Sequence, residues 1–159
     1  MEITTPDASP DELAGLWVDL AESQRGHDSH IQPAANRPRI RQAIAEHLVQ
    51  DRVLVAREDG EVLGFVMYTI ERPAYNQDVH RGVVENLYVR PERRSEGIGS
   101  ALLEAAEDAL ADQGLDAITL EVMARNDGAR RFYRRAGYEV RRVQLEKSLG
   151  TDTTSRGDE

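Results

Sequence analysis

Cysteine is absent from the 159 residues, which excludes disulfides, thiolate metal sites and a cysteine nucleophile and fits a reducing compartment. Lysine is almost absent: of the 20 basic residues only Lys147 is a lysine. No apolar run approaches a membrane span, and Met1–Asp7 has neither the basic region nor the apolar stretch of a secretory leader, so a soluble cytoplasmic protein is expected. His27, His30, His47 and His80 have no metal-ligand spacing, so no metal is expected; His47 reads as a surface residue of a helix. Basic charge is in deficit. The net charge of −9 argues against nucleic acid as a partner, including a charged tRNA that would need a basic groove. Acid excess with little lysine resembles proteins of salt-rich cytoplasms, where carboxylates hold water and screening relieves self-repulsion. GC-rich codon usage accounts for the arginine but not for the acids.

The length fits one domain, expected over residues 1–147, with a core that needs no metal or disulfide. The polar stretch 148–159 has little to bury and is expected to be disordered. A first helix is predicted at Ser9-Pro10-Asp11-Glu12: Ser9 suits the N-cap, Pro10 the first turn, and the acids the positive end of the dipole. Leu13, Leu16, Trp17 and Leu20 form its apolar stripe. Residues 26–36 break the pattern, and a second helix follows over 37–49 with Ile40, Ile44 and Leu48 on one face. Two β-prone runs, 52–57 and 62–70, flank Asp59-Gly60, a strong hairpin signal. Residues 71–82, with Pro73, read as a loop in which Tyr75 and Asp78 are weak pocket candidates, as are His27 and His30 in the earlier loop.

A strand is expected over 83–89, a long helix over 98–113 with Gly114 as its stop, a strand over 117–123, a helix from Asn126 to Arg135, and a last strand over 139–147. The order is two helices, an antiparallel hairpin, then strand–helix–strand–helix–strand, a mixed α/β layer.

The stretch Val89-Arg90-Pro91-Glu92-Arg93-Arg94-Ser95-Glu96-Gly97-Ile98-Gly99-Ser100 leaves a strand and opens a helix. Glycines there let backbone N–H groups approach an anion that the helix dipole also favours, so the loop suits phosphates, with Arg94 adding charge. By itself Gly-x-Gly also fits an ordinary loop–helix junction, and Arg93-Arg94 a solvated basic pair. There is no Gly-Lys-Ser/Thr, and Leu102 stands where a dinucleotide fingerprint has its third glycine, which excludes P-loop and Rossmann sites.

Val89 followed by Arg94-Ser95-Glu96-Gly97-Ile98-Gly99 resembles the acyl-CoA motif of the GNAT acetyltransferases. So does Asn126 with Ala129-Arg130-Arg131-Phe132-Tyr133-Arg134-Arg135-Ala136-Gly137-Tyr138, the family's second block. The resemblance covers roughly residues 10–147 and is specific over about 83–138. It implies a central mixed, mostly antiparallel sheet flanked by helices, with two splayed central strands. It also implies acetyl-CoA as cosubstrate, an amine acceptor, direct transfer in a ternary complex, and a dimer in common with many similar enzymes.

The resemblance assigns backbone N–H groups around Leu87, Tyr88 and Val89 to the thioester carbonyl and pantetheine. Backbone amides of Arg94, Ser95, Glu96, Gly97, Ile98, Gly99 and Ser100, with the Arg94 side chain, fall to the pyrophosphate. The charge of Glu96 is unhelpful in such a loop unless it points away. Asn126 is assigned to the cofactor, beside its plain reading as a helix cap. Tyr133 matches the general acid, beside a reading as a packed aromatic. Glu85, two and four residues from Leu87 and Val89 and so on their face of the strand, resembles the base of polyamine acetyltransferases; otherwise it is a surface carboxylate. A coenzyme-A-binding sensor without catalysis is the alternative from a different class.

Overall fold

The computed structural model describes residues 1–7 and 9–150. Five strands run in spatial order β1–β2–β3–β4–β5: β1 Glu2–Thr4, β2 Val53–Glu58, β3 Glu61–Ile70, β4 Arg81–Val89 and β5 Ala117–Leu120. The first four pair antiparallel and β5 lies parallel to β4. Four helices cover the sheet: α1 Pro10–Arg25, α2 Arg37–Val49, α3 Ile98–Asp112 and α4 Asp127–Arg135.

Local chemistry explains most of these boundaries. The Ser9 hydroxyl accepts the Glu12 N–H, and α1 buries Leu13, Ala14, Leu16, Leu20 and Ala21. Asp59 and Gly60, with φ of 51° and 80°, make the two-residue turn between β2 and β3. Gly114, at φ 82°, sits just past α3 and donates its N–H to the Ala111 carbonyl.

The sheet has a core on each side. On one face α1 and α2 meet Val53, Val55, Val62, Phe65, Met67 and Tyr88. On the other, Ile98, Leu102, Leu103, Ala106 and Leu110 of α3 meet Leu63, Val66, Tyr68 and Val84. Leu87, Val89, Phe132, Tyr133 and Tyr138 pack against this second cluster. The strands approach closely where side chains are missing: a Cβ on Gly64 would lie 2.3 Å from the Tyr88 carbonyl oxygen.

Four boundaries differ from the sequence reading. The short β1 was not expected; three residues carry no period, and β1 exists only because β2 offers it a partner. Strand β4 begins at Arg81, and β5 ends at Leu120 rather than Met123. Residues 139–147 form neither strand nor helix, since no neighbouring strand within the described residues pairs with them. The expected tail lies, from residue 151 on, outside the described residues.

Candidate active site

Strands β4 and β5 pair only at Arg81↔Ala117 through Val84↔Leu120. Beyond that point β5 ends while β4 runs five residues further against β3. The Arg90 N–H donates to the Leu63 carbonyl at 2.8 Å. Counting back in twos along an antiparallel ladder, Tyr88 and Asn86 turn their backbone groups to β3, and Leu87 and Val89 turn theirs to the parted side. The Val89 carbonyl accepts the Arg94 Nε–H at 3.0 Å from that side. Of the three consecutive amides assigned to the cosubstrate, two face the gap. The Tyr88 amide faces β3, and its ring lies 5.6 Å from the Arg94 guanidinium carbon.

The free edge continues into the glycine loop. Among the described residues no backbone or side-chain acceptor takes the N–H groups of Ser95, Glu96, Gly97, Ile98, Gly99 or Ser100; the first to be paired is Ala101, to the Gly97 carbonyl. Ser95 and Gly97 adopt φ of 66° and 83°, and alternation of left- and right-handed residues is how successive amides converge into an anion nest. A Cβ on Gly97 would meet nothing within 4 Å, and one on Gly99 would meet Phe132 and Val89 only at ordinary distances of 3.6–3.8 Å. Glu96 is drawn aside: Arg93 Nε donates to its carboxylate at 3.1 and 3.2 Å, and the same guanidinium holds Glu58 at the end of β2. Arg93 thereby holds the Glu58 carboxyl below its ordinary pKa. The basic pair is thus divided, with Arg93 neutralising the loop's acid and Arg94 turned toward the end of β4.

Glu85 sits at a bulge. Met67 pairs with Asn86 and Tyr68 with Val84, which leaves Glu85 without a counterpart on β3. The extra residue reverses the alternation. Val84 and Leu87 share the α3 face, and Glu85 turns to the α1–α2 face, opposite Leu87 and Val89 rather than beside them. Its carboxylate Oε1 lies 2.7 Å from His47 Nε2, while His47 Nδ1 lies 2.7 Å from the Ala43 carbonyl oxygen. Both ring nitrogens thus face acceptors, the geometry of an imidazolium. The Glu85 hydrogen bond raises the His47 pKa above its ordinary 6.5 against the opposing effect of burial. His47 is therefore not the surface residue its place in α2 implied; its side chain is 16% exposed, against 35% for Glu85.

A cleft of about 40 Å³ opens at the parting, lined by Glu85, Asn86 and Leu87 of β4, by Leu120 and Glu121, and by Tyr133. Leu20 and Gln24 from the end of α1 complete it. That space holds roughly three water-sized groups, a slot for a narrow chain. Its lining comes from both faces of the sheet, with Glu85, Leu20 and Gln24 on the α1–α2 side and Tyr133 on the α3–α4 side. Tyr133 is held edge-on by Phe132 and Tyr138, at centroid distances of 5.1 and 5.8 Å. Burial pushes its phenol above the ordinary value of 10. Glu121 was not singled out in the sequence, where it lay within the expected strand 117–123; with β5 ending at Leu120 it lines the cleft.

Asn126 caps α4, its Oδ1 accepting the Ala129 N–H at 3.1 Å. His30 lies 3.8 Å from Asp28 on the exposed α1–α2 connection. Tyr75 lines a separate cavity of about 300 Å³ between the β3–β4 connection and the start of β4, at the end of that strand away from the glycine loop. Among the described residues no group of three or more His, Asp or Glu side chains is placed to hold a metal ion, and no helix is long and apolar enough to cross a membrane.

A parted β4–β5 pair leading into a glycine-rich helix mouth is the arrangement of the GNAT fold, and the profile of the Acetyltransferase (GNAT) family matches residues 15–138. The chain belongs to this family. It is 33% identical over 88 residues to the uncharacterized N-acetyltransferase YhfO of Bacillus subtilis, and 37% identical over 95 residues to an uncharacterized N-acetyltransferase of Archaeoglobus fulgidus. These stretches are 55 and 60% of this chain and 58 and 63% of the relatives, so the chain matches under two thirds of their lengths. Among solved structures, a putative acetyl transferase from Pyrococcus furiosus superposes with a TM-score of 0.72 at 24% identity, covering 93% of this chain and 99% of that one. A mutant of the Bacillus halodurans BH1408 protein gives 0.74 at 24% identity, covering 94 and 99%. These likenesses carry the fold.

Proposed function

We propose that the chain moves the acetyl group of acetyl-CoA to a primary amine by direct attack in a ternary complex. One observation carries this reading: the free backbone edge at Leu87 and Val89 and the six unpaired amides of 95–100 stand on either side of the short turn 90–94, beside a cleft that holds both Glu85 and Tyr133. Donors at Leu87 and Val89 suit a thioester carbonyl and a pantetheine arm, and the amides at the α3 mouth suit a diphosphate. Asn126 stands at the start of α4, where its amide nitrogen has a further bond to offer the cosubstrate.

The chemistry balances with the residues present. The amine gives up a proton through water to Glu85, which His47 holds in place. The freed neutral nitrogen attacks the thioester carbon, the carbon–sulfur bond breaks, the leaving thiolate takes the phenolic proton of Tyr133, and the second proton that the acylated nitrogen sheds passes through water to restore the phenol. Burial keeps that phenol protonated at neutral pH. No covalent enzyme intermediate is needed. Two carboxylates, Glu85 and Glu121, line the acceptor side and favour a cationic amine, in a small molecule or a protein. The acid-rich, lysine-poor composition supports a cytoplasm of high ionic strength.

Thiol release from acetyl-CoA with a panel of polyamines, amino acids and lysine peptides tests the proposal. Turnover with a cationic amine is expected. Tight CoA binding with no thiol release from any amine would make the chain a CoA-responsive regulator instead.

A further inference from the structure

The loop that offers six free amides also carries a negative charge. Glu96 stands inside it, between Ser95 and Gly97, whose φ angles are 66° and 83°. A carboxylate turned toward amides that suit a diphosphate opposes the ligand. A unit charge about 7 Å from two phosphate charges, in a medium close to water, weakens binding by about tenfold.

Arg93 is the only group that takes the Glu96 carboxylate among the described residues, its Nε donating at 3.1 and 3.2 Å. A lone ion pair at a surface seldom fixes two long side chains. Arg93 is held at a second point: its Nη2 donates to Glu58, the last residue of β2, and its side chain is only 30% exposed. Glu58 faces a second acid, Glu61, across the β2–β3 turn, so a cation between the turn and the loop relieves that repulsion as well. Arg90 fastens the same region. Its Nε–H donates to the Val62 carbonyl at 2.7 Å, and its backbone N–H to the Leu63 carbonyl at 2.8 Å. The turn 90–94 is thus moored to the β2–β3 hairpin, and the loop's acid is tied to the mooring.

We infer that Arg93 is a positioning residue of the cosubstrate site: anchored on Glu58, it holds the Glu96 carboxylate off the amides of 95–100 and so sets the affinity for coenzyme A without touching it. The inference rests on the acetyl-CoA reading above. It differs from a direct contact of Arg93 with the phosphates in one respect: the harm done by losing Arg93 comes entirely from Glu96, and removing that charge repairs it.

A double-mutant cycle on the full chain reads this out. Coenzyme A and, separately, inorganic pyrophosphate are titrated by calorimetry into wild type, Arg93→Ala, Glu96→Gln and the double variant. Arg93→Ala is expected to bind about tenfold more weakly in about 0.1 M potassium chloride. The loss should shrink in about 1 M salt, where the screening length falls from about 10 to about 3 Å. Glu96→Gln should bind at least as tightly as wild type, and the double variant should match Glu96→Gln. Glu58→Ala should weaken binding by a smaller factor than Arg93→Ala. Should Arg93→Ala fail to fold, Arg93→Met, which keeps the apolar stem, takes its place in the cycle. An unchanged affinity in the Arg93 variant, a double variant as weak as the single one, a loss of equal size at both salt concentrations, or an unaffected Glu58→Ala would each overturn the inference. The four-way pattern seen with pyrophosphate but no binding of coenzyme A by wild type would retain the role of Arg93 and overturn the acetyl-CoA reading; wild type that binds neither would overturn both.

Discussion

Replacing His47 with alanine removes the one partner that the structure gives the Glu85 carboxylate, and the size of the effect follows from where the pair sits. A hydrogen bond between charged groups contributes about 1.5–3 kcal/mol in a buried setting. Glu85 is about one-third exposed, so solvent screening reduces this to about 1–2 kcal/mol. For a chain of this length that corresponds to a loss of roughly 3–6 °C in Tm. The pH dependence identifies the cause. His47 has a folded pKa above its ordinary 6.5. Its contribution is therefore complete below that value and is lost as pH rises through the folded value. Thermal melts of wild type, His47→Ala and His47→Gln at pH about 5.5 and about 9 give the comparison. The gap between wild type and His47→Ala should be widest at the lower pH and shrink at the higher. Glutamine, which offers an uncharged donor, should recover part of it without the pH dependence. An equal gap at both pH values would refute the ion pair and leave packing as the whole effect.

Tyr133→Phe should lower kcat by about 100-fold or more while acetyl-CoA affinity stays within about twofold, read by steady-state thiol release and calorimetry; full activity would move the proton donor to water. Gly64→Ala should destabilise by about 1–3 kcal/mol, because its Cβ meets the Tyr88 carbonyl and neither backbone can yield, and denaturant melts would register the loss. Stability should rise with potassium chloride, as Tm in a salt series would report; a flat or falling series would remove the high-salt reading.

Features set by near neighbours in sequence were legible before any coordinates. The Ser9 cap, the Asp59-Gly60 turn, the opening of α3 at Gly97 and the Asn126 cap all stand where local chemistry places them. The features that were not legible belong to partners distant in sequence. Alternation along β4 placed Glu85 beside Leu87, but the register of β3 inserts a bulge that sends it to the other face. Helical position alone made His47 a surface residue, because nothing in α2 tells that β4 presents a carboxylate to it. Residues 139–147 have the composition of a strand, and composition does not supply a neighbouring edge.

The bulge carries a consequence for what can stand at position 85. Below it β4 reads in one phase, with Gly82 and Val84 turned to α3; above it the strand reads in the other, with Leu87 and Val89 turned the same way. Removing Glu85 would restore plain alternation, with Val84 still opposite Tyr68 and Asn86 still opposite Met67. Val84 would keep its seat under α3, and Leu87 and Val89 theirs, while the carboxylate that meets His47 would be lost. Position 85 is thus an inserted residue that carries its side chain to the α1–α2 face, and a glutamine there keeps the bulge while removing the charge.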